Sequence, residues 1–205
     1  MVKWTKSSPA KGGVKVSLGD WEVAVTSGKV YTYADYCQLP DGAPYQLIGG
    51  RLILTPSPTT YHQMISARLE FALMDFVKEH TLGIVLHAPI DVYFNQTETY
   101  QPDIIFISQD RMNIIEPKRI NGAPDLVVEI LSPATAYYDL RHKFRVYERY
   151  GVKEYWIVDP EESSIEVFIR EGEKLSLSQC LEERGQVTSS LLQGLTVSLE
   201  SIFEG

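Results

Sequence analysis

Hydrophobic residues follow two different periods along this chain, and the switches between them mark its elements. Over residues 60–80, Met64, Ala67, Leu69, Phe71, Leu73, Phe76 and Val77 recur at helical intervals with no internal Gly or Pro, which predicts a long amphipathic helix. Leu140, Phe144 and Tyr147 repeat in the same way within 137–150. Gly151 stands where a left-handed helix end is favoured, so a second helix is expected to stop there. Elsewhere the apolar runs are short. Residues 83–94, 102–108, 124–131, 154–160 and 164–170 are rich in Ile, Val and aromatics and are punctuated by Gly, Pro, Asn or Gln, as strands are. Two apolar runs flank Gly49-Gly50 in 45–54, the turn chemistry of a β-hairpin. A weak closing strand and turn is expected over 191–203. The order read from these patterns is α-β-β-β-α-β, an α/β class (α+β, mixed sheet) with a hairpin in front and a β extension behind. Residues 1–30, with Lys3, Lys6, Lys11, Lys15 and Lys29 and only a brief alternation around Trp21, read as a loosely ordered arm before a single domain over 31–205. No internal repeat or low-complexity segment is present.

Composition narrows the classes. At 205 residues, 44% hydrophobic and 22% charged, the chain has ample apolar surface for one core and lacks the bias of disorder. Cys37 and Cys180 are too few for a disulfide scaffold and have no metal-ligand spacing, which fits a reducing cytoplasm. No apolar run approaches the roughly 20 residues that span a bilayer, and 1–20 has no export-signal pattern, so membrane readings fall away. The net charge of −8 argues against a protein that coats nucleic acid nonspecifically. The charge is uneven, however: residues 110–153 hold eight Lys and Arg against six Asp and Glu, whereas 154–205 hold three against eleven. A basic middle that meets phosphates and a set of solvated charges both fit this distribution.

The candidate chemistry lies in acids that open or interrupt apolar strands. Asp103 follows Pro102 and Asp125 follows Pro124, each at a strand entry where proline costs no ladder donor. Alternation puts Asp125 and Glu129 on one face of the run Asp-Leu-Val-Val-Glu-Ile-Leu. An acid in the middle of so apolar a run needs a partner, because an unpaired buried carboxylate is strongly unfavourable. A cation is one remedy, and Lys143 or an arginine is another. If the Asp103 strand lies alongside, Asp103, Asp125 and Glu129 form an oxygen set suited to Mg²⁺ or Mn²⁺. Lys143 carries Asp139 four residues before it and Tyr147 four after. That spacing fits a surface ion pair and also a cation placed to stabilise phosphoryl charge. Arg141, Arg145 and Arg149 form another stripe, readable as a solvated face or as a phosphate contact. His62, at the start of the first helix, is a lone histidine with three open roles: proton acceptor, phosphate contact or local structural bond. No zinc spacing, serine-hydrolase elbow or phosphate-binding glycine loop is found.

These residues together resemble the Uma family of restriction-endonuclease-like proteins, in the PD-(D/E)XK nuclease superfamily. The resemblance rests on Tyr45-Gln-Leu-Ile-Gly-Gly-Arg-Leu, His62, Gln101-Pro-Asp103, Ala123-Pro-Asp125-Leu-Val-Val-Glu129-Ile-Leu-Ser-Pro, Tyr138-Asp-Leu-Arg-His-Lys143, Tyr147 and Gly151-Val-Lys-Glu-Tyr-Trp-Ile-Val-Asp159-Pro, and it covers about 31–204. It implies a bacterial, cytoplasmic, Mg²⁺- or Mn²⁺-dependent endonuclease that hydrolyses DNA. By position, Asp103 is similar to the metal-binding aspartate and Glu129 to the strand acid, with Asp125 an added acid on its face. Leu131 occupies the strand-lysine place, and Lys143 is similar to a helix lysine that replaces it, with Tyr147 in support. The chain departs from the family pattern at Gln46 and Gly49, where members carry Glu and Asp. That departure keeps open a catalytically lapsed scaffold that binds nucleic acid or protein. Two-fold-related sites would suit the cutting of both strands of a duplex, so a homodimer is compatible with this reading.

Overall fold

A computed structural model describes residues 28–133 and 136–204, together with the backbone of 13–18 and 21–26. Half of the arm expected over 1–30 therefore lies outside the described residues. Within it β1 (Gly13–Leu18) and β2 (Trp21–Thr26) pair as an antiparallel hairpin, a pairing the short alternation did not predict. The chain continues through a short α1 (Tyr33–Tyr36) into the expected hairpin, β3 (Tyr45–Ile48) and β4 (Arg51–Leu54). Gly49 and Gly50 have φ of 58° and 69° at its turn, the left-handed backbone that a two-residue hairpin loop requires. Then come α2 (Thr60–Glu79), β5 (Gly83–His87), β6 (Val92–Asn95), β7 (Glu98–Tyr100) and β8 (Ile104–Ser108). A 3₁₀ turn (Gln109–Ile114) leads to β9 (Ile115–Glu116), β10 (Arg119–Asn121) and β11 (Leu126–Ile130). A π-helical stretch (Tyr138–Lys143) runs into α3 (Phe144–Tyr150), which ends at Gly151 with φ 90°. The chain closes with β12 (Glu154–Asp159), β13 (Ser164–Glu171), β14 (Lys174–Glu182), β15 (Gln186–Thr188), β16 (Thr196–Ser198) and α4 (Leu199–Phe203).

The main sheet has the order β14-β13-β12-β11-β8-β5, with β11 and β12 parallel and the other neighbours antiparallel. The parallel pair needs a crossover, and the π-helical stretch with α3 supplies it. The expected α-β-β-β-α-β order is thus realised as α2, β5, β8, β11, α3 and β12. A second sheet, β4-β3-β7-β6-β10-β9, gathers the hairpin and strands too short to show a period. The single strand expected over 83–94 is two strands in different sheets, because Pro89 has no donor to continue a ladder. The expected closing strand over 191–203 is mostly the short β16 and α4, and β14 is an addition.

Both faces of the main sheet are covered. Ile65, Leu69, Leu73 and Val77 of α2 pack on Ile104, Phe106, Leu126, Val128, Ile130, Trp156 and Val158. Met64, Ala67 and Phe71, counted in the helical period, face out instead. Two overlapping apolar stripes fit the same helix, and the sheet takes the one with strict four-residue spacing. On the opposite face Ile105, Ile107, Val127, Tyr155 and Ile157 meet Val146 and Tyr147 of α3 and Ile48, Val92 and Tyr100 of the second sheet. Glu129 points into this second layer.

Candidate active site

β11 sets the site's floor. Its alternation turns Val128 and Ile130 toward α2 and leaves Val127 and Glu129 on the side of α3. Glu129 is 3% exposed, yet it is not alone. Its Oε1 accepts hydrogen bonds from Lys143 Nζ at 2.9 Å and from the Tyr147 hydroxyl. Lys143, itself 1% exposed, also lies 2.8 Å from Asp139 Oδ1. Asp139 and Lys143 share the π-helical stretch, a widened turn that recurs at functional sites. They form the ion pair that the four-residue spacing suggested, but inside the protein.

Asp103 sits one residue before β8, and its Oδ2 accepts from the Ile130 amide at 2.7 Å, which ties it to the end of β11. His62, near the start of α2, has Nε2 3.2 Å from the Ile130 carbonyl and 3.5 Å from Asp103 Oδ1. Gln46 of β3 is buried close by. Its carbonyl accepts from the Gln101 amide at 3.0 Å and its amide donates to Thr55 Oγ1 at 3.1 Å, so it holds the segment leading into Asp103.

Two carboxylates, Glu129 and Asp139, thus hold one ammonium, and Asp103 adds its charge beside Glu129. Burial pushes the Glu129 carboxyl up; Lys143 opposes this, while the Asp139 and Asp103 charges reinforce it, and the group stands at about 8. Burial disfavours the charged form of Lys143, but Asp139 and Glu129 more than compensate and hold it above its ordinary value. Lys143 is therefore the fixed positive charge, and a surplus of negative charge in the cluster opposes the ionisation of Glu129. A divalent cation would relieve that surplus. Mg²⁺ commonly takes one or two carboxylates, with water and substrate phosphate completing its shell, and Asp103 with Glu129 is a donor set of that kind. No ready-made group of three or more His, Cys, Asp or Glu ligands exists among the described residues.

Asp125 does not join them. It lies at the other end of β11, fully buried, with Oδ1 2.8 Å from Arg111 Nη1 and 2.7 Å from Lys153 Nζ. Its Oδ2 accepts from the Ser108 amide and hydroxyl at 2.9 and 3.0 Å. Sharing a strand face with Glu129 did not place it in the same site, because four residues of strand separate them by about 13 Å. The expected ligand set of Asp103, Asp125 and Glu129 is brought together in two members, and Asp139 pairs with Lys143 beside Glu129.

Sequence reasoning assigned no role to Glu98. Its Oε2 accepts from the Gly49 amide at 2.8 Å and from the Tyr100 hydroxyl at 2.6 Å, and His142 Nε2 lies 3.1 Å from Oε1. A Cβ on Gly49 would meet His142 Cε1 at 3.2 Å. Glycine at 49 and histidine at 142 therefore fit each other, and an aspartate at 49 would crowd the ring. β7 is three residues long, so no sequence period flagged Glu98.

The model of the family Uma2, described as "Putative restriction endonuclease", matches residues 32–200. The chain belongs to the Uma2 family. A crystal structure of a "putative nuclease belonging to DUF820" from Anabaena variabilis ATCC 29413 is similar in fold, with a TM-score of 0.71 at 22% identity over 84% of this chain and 97% of that one. No curated protein matches the chain. The Uma2 match runs from the residue before α1 to the first residues of α4, so the sheet, α2 and the Lys143 helix all fall within the family's span. No described helix is long and apolar enough to cross a membrane.

Proposed function

We propose that this protein is a divalent-metal-dependent nuclease that hydrolyses phosphodiester bonds in DNA, with Asp103 and Glu129 holding Mg²⁺ or Mn²⁺. The observation that carries the reading is Lys143, a fully buried lysine reaching from the crossover helix to the strand acid while Leu131 fills the strand's own lysine place. Membership of Uma2 supports nuclease chemistry in general. The bound ion would polarise a phosphoryl oxygen and lower the pKa of a water. The chain's own groups do the rest. Lys143, kept protonated by two carboxylates, donates toward the negative charge that develops on the phosphoryl oxygens. Tyr147 fixes the Glu129 carboxylate, and the Ile130 amide and His62 fix Asp103. Gln46 and Gly49, which bring no acid to the hairpin, favour the second reading, a scaffold that binds without cutting.

Cleavage of circular single-stranded DNA and of supercoiled plasmid, with Mg²⁺ and with EDTA, tests the two. The nuclease reading expects metal-dependent cutting of at least one substrate, reduced a hundredfold or more in Asp103→Asn and Glu129→Gln at unchanged melting temperature. Undiminished cutting in either variant contradicts the residue assignment, and an inert wild type supports the binding scaffold.

A further inference from the structure

The π-helical stretch has two sides. Asp139 and Lys143 face inward, whereas Tyr137, just before the stretch, Tyr138, Arg141, His142 and, in α3, Arg145 line a groove of about 410 Å³ against Ile48, Gly49 and Arg51 of the hairpin. Three of its residues are arginines in a chain whose net charge is −8. No carboxylate among the described residues pairs with Arg51, Arg141 or Arg145 at 4 Å or less. Tyr137 is 69% exposed, and the Arg141 guanidinium stands 5.9 Å from its ring centroid. The groove adjoins the acids: His142 meets Glu98, Glu98 accepts from Tyr100, and the Tyr100 ring lies 5.8 Å from Lys143 Nζ.

We propose that this groove binds an unpaired strand of nucleic acid, with phosphates on Arg51, Arg141 and Arg145 and a base on Tyr137. Unopposed guanidiniums call for an anion of repeated charge. An exposed aromatic ring beside them adds what a simple anion does not use, a platform for a base face. In a duplex the bases are stacked on one another and their faces are hidden, so a ring offered beside phosphate contacts selects a strand whose bases are free. That the bound strand is also the one cut rests on the nuclease reading above; the binding itself does not.

Fluorescence anisotropy of a labelled twelve-residue oligothymidylate tests the groove in EDTA, where cleavage is off. The wild type is expected to bind it at least tenfold more tightly than a duplex of equal length. Arg141→Ala/Arg145→Ala should weaken binding tenfold or more and lower the slope of log affinity against log salt by about 1.4, the value for two phosphate contacts on a single strand. Tyr137→Ala should weaken binding about fivefold or more with the salt slope unchanged, and Tyr137→Trp should restore it. An oligouridylate in the same assay separates RNA from DNA as the source of the strand; tighter binding of either through these residues supports the groove and names that source. Variants that bind like the wild type, a duplex bound as tightly as the strand, or no binding by the wild type would each overturn the proposal. The two readings fail separately. Groove-dependent binding without Mg²⁺-dependent cutting sinks the nuclease alone, and cutting that persists while the groove variants bind normally sinks the groove alone.

Discussion

Individual residues separate the acids proposed to do chemistry from those that hold the fold. Asp125 is of the second kind. Burial opposes its ionisation, but bonds from Lys153, the Ser108 amide and Arg111 overcome that and keep its carboxyl below the ordinary aspartate range. A carboxylate with a depressed folded pKa adds stability that is present above its unfolded value and disappears as pH falls through the folded one. Asp125→Asn should therefore cost about 2 kcal/mol at neutral pH, a figure kept modest by the solvent exposure of Lys153. The gap between the wild type and the variant in urea denaturation should stay constant at higher pH and close as pH drops below 4; a gap that widens in acid would contradict the pairing. Lys143 and Tyr147 make a contrasting pair. Lys143→Ala strands Glu129 and Asp139 in the interior and should cost about 3–5 kcal/mol in the same measurement. Tyr147→Phe keeps the ring and loses one donor, so it should cost no more than about 1.5 kcal/mol. In a cleavage assay it should nevertheless slow turnover roughly tenfold, through a freer Glu129 carboxylate.

Elements show why the core was legible and its surroundings were not. α2, β8, β11 and β12 are long or strongly apolar, and the same pattern that names them also buries them, so their order could be read directly. β7, β9 and β10 have two or three residues each; they exist because β6 and the hairpin offer edges to pair with, which is tertiary information. The site divides in the same way. Asp103, Glu129 and Lys143 were readable from Pro-Asp, from an acid in an apolar run and from helical spacing. The burial of Asp139 and the capture of Asp125 by Arg111 and Lys153 depend on which segments come to lie over them. Close approach between elements carries its own signature at Gly83. A Cβ there would stand 2.1 Å from the Ile107 carbonyl, on a backbone with φ 151°. Gly83→Ala should force β5 from β8 and cost about 2–3 kcal/mol in thermal or urea unfolding; a neutral effect would show that this edge of the sheet yields freely.

For the whole molecule, charge and layering converge on one region. The acidic surplus of the sequence lies mainly after β11, in β12 to α4, whereas Arg51 of the hairpin and Arg141 and Arg145 of the crossover helix are gathered at a groove beside the buried acids. The main sheet keeps the two acid clusters at opposite ends of β11, one tied into the loops after β8 and before β12, the other gathered around Lys143, where the proposed reading places a cation. The central claim is that division. Calorimetric titration of Mn²⁺ into the wild type, Asp103→Asn and Asp125→Asn, each held well below its melting temperature, tests it most directly. One binding event is expected in the wild type, with its loss in Asp103→Asn and its retention in Asp125→Asn. No binding by the wild type, or a loss in Asp125→Asn equal to that in Asp103→Asn, would contradict it.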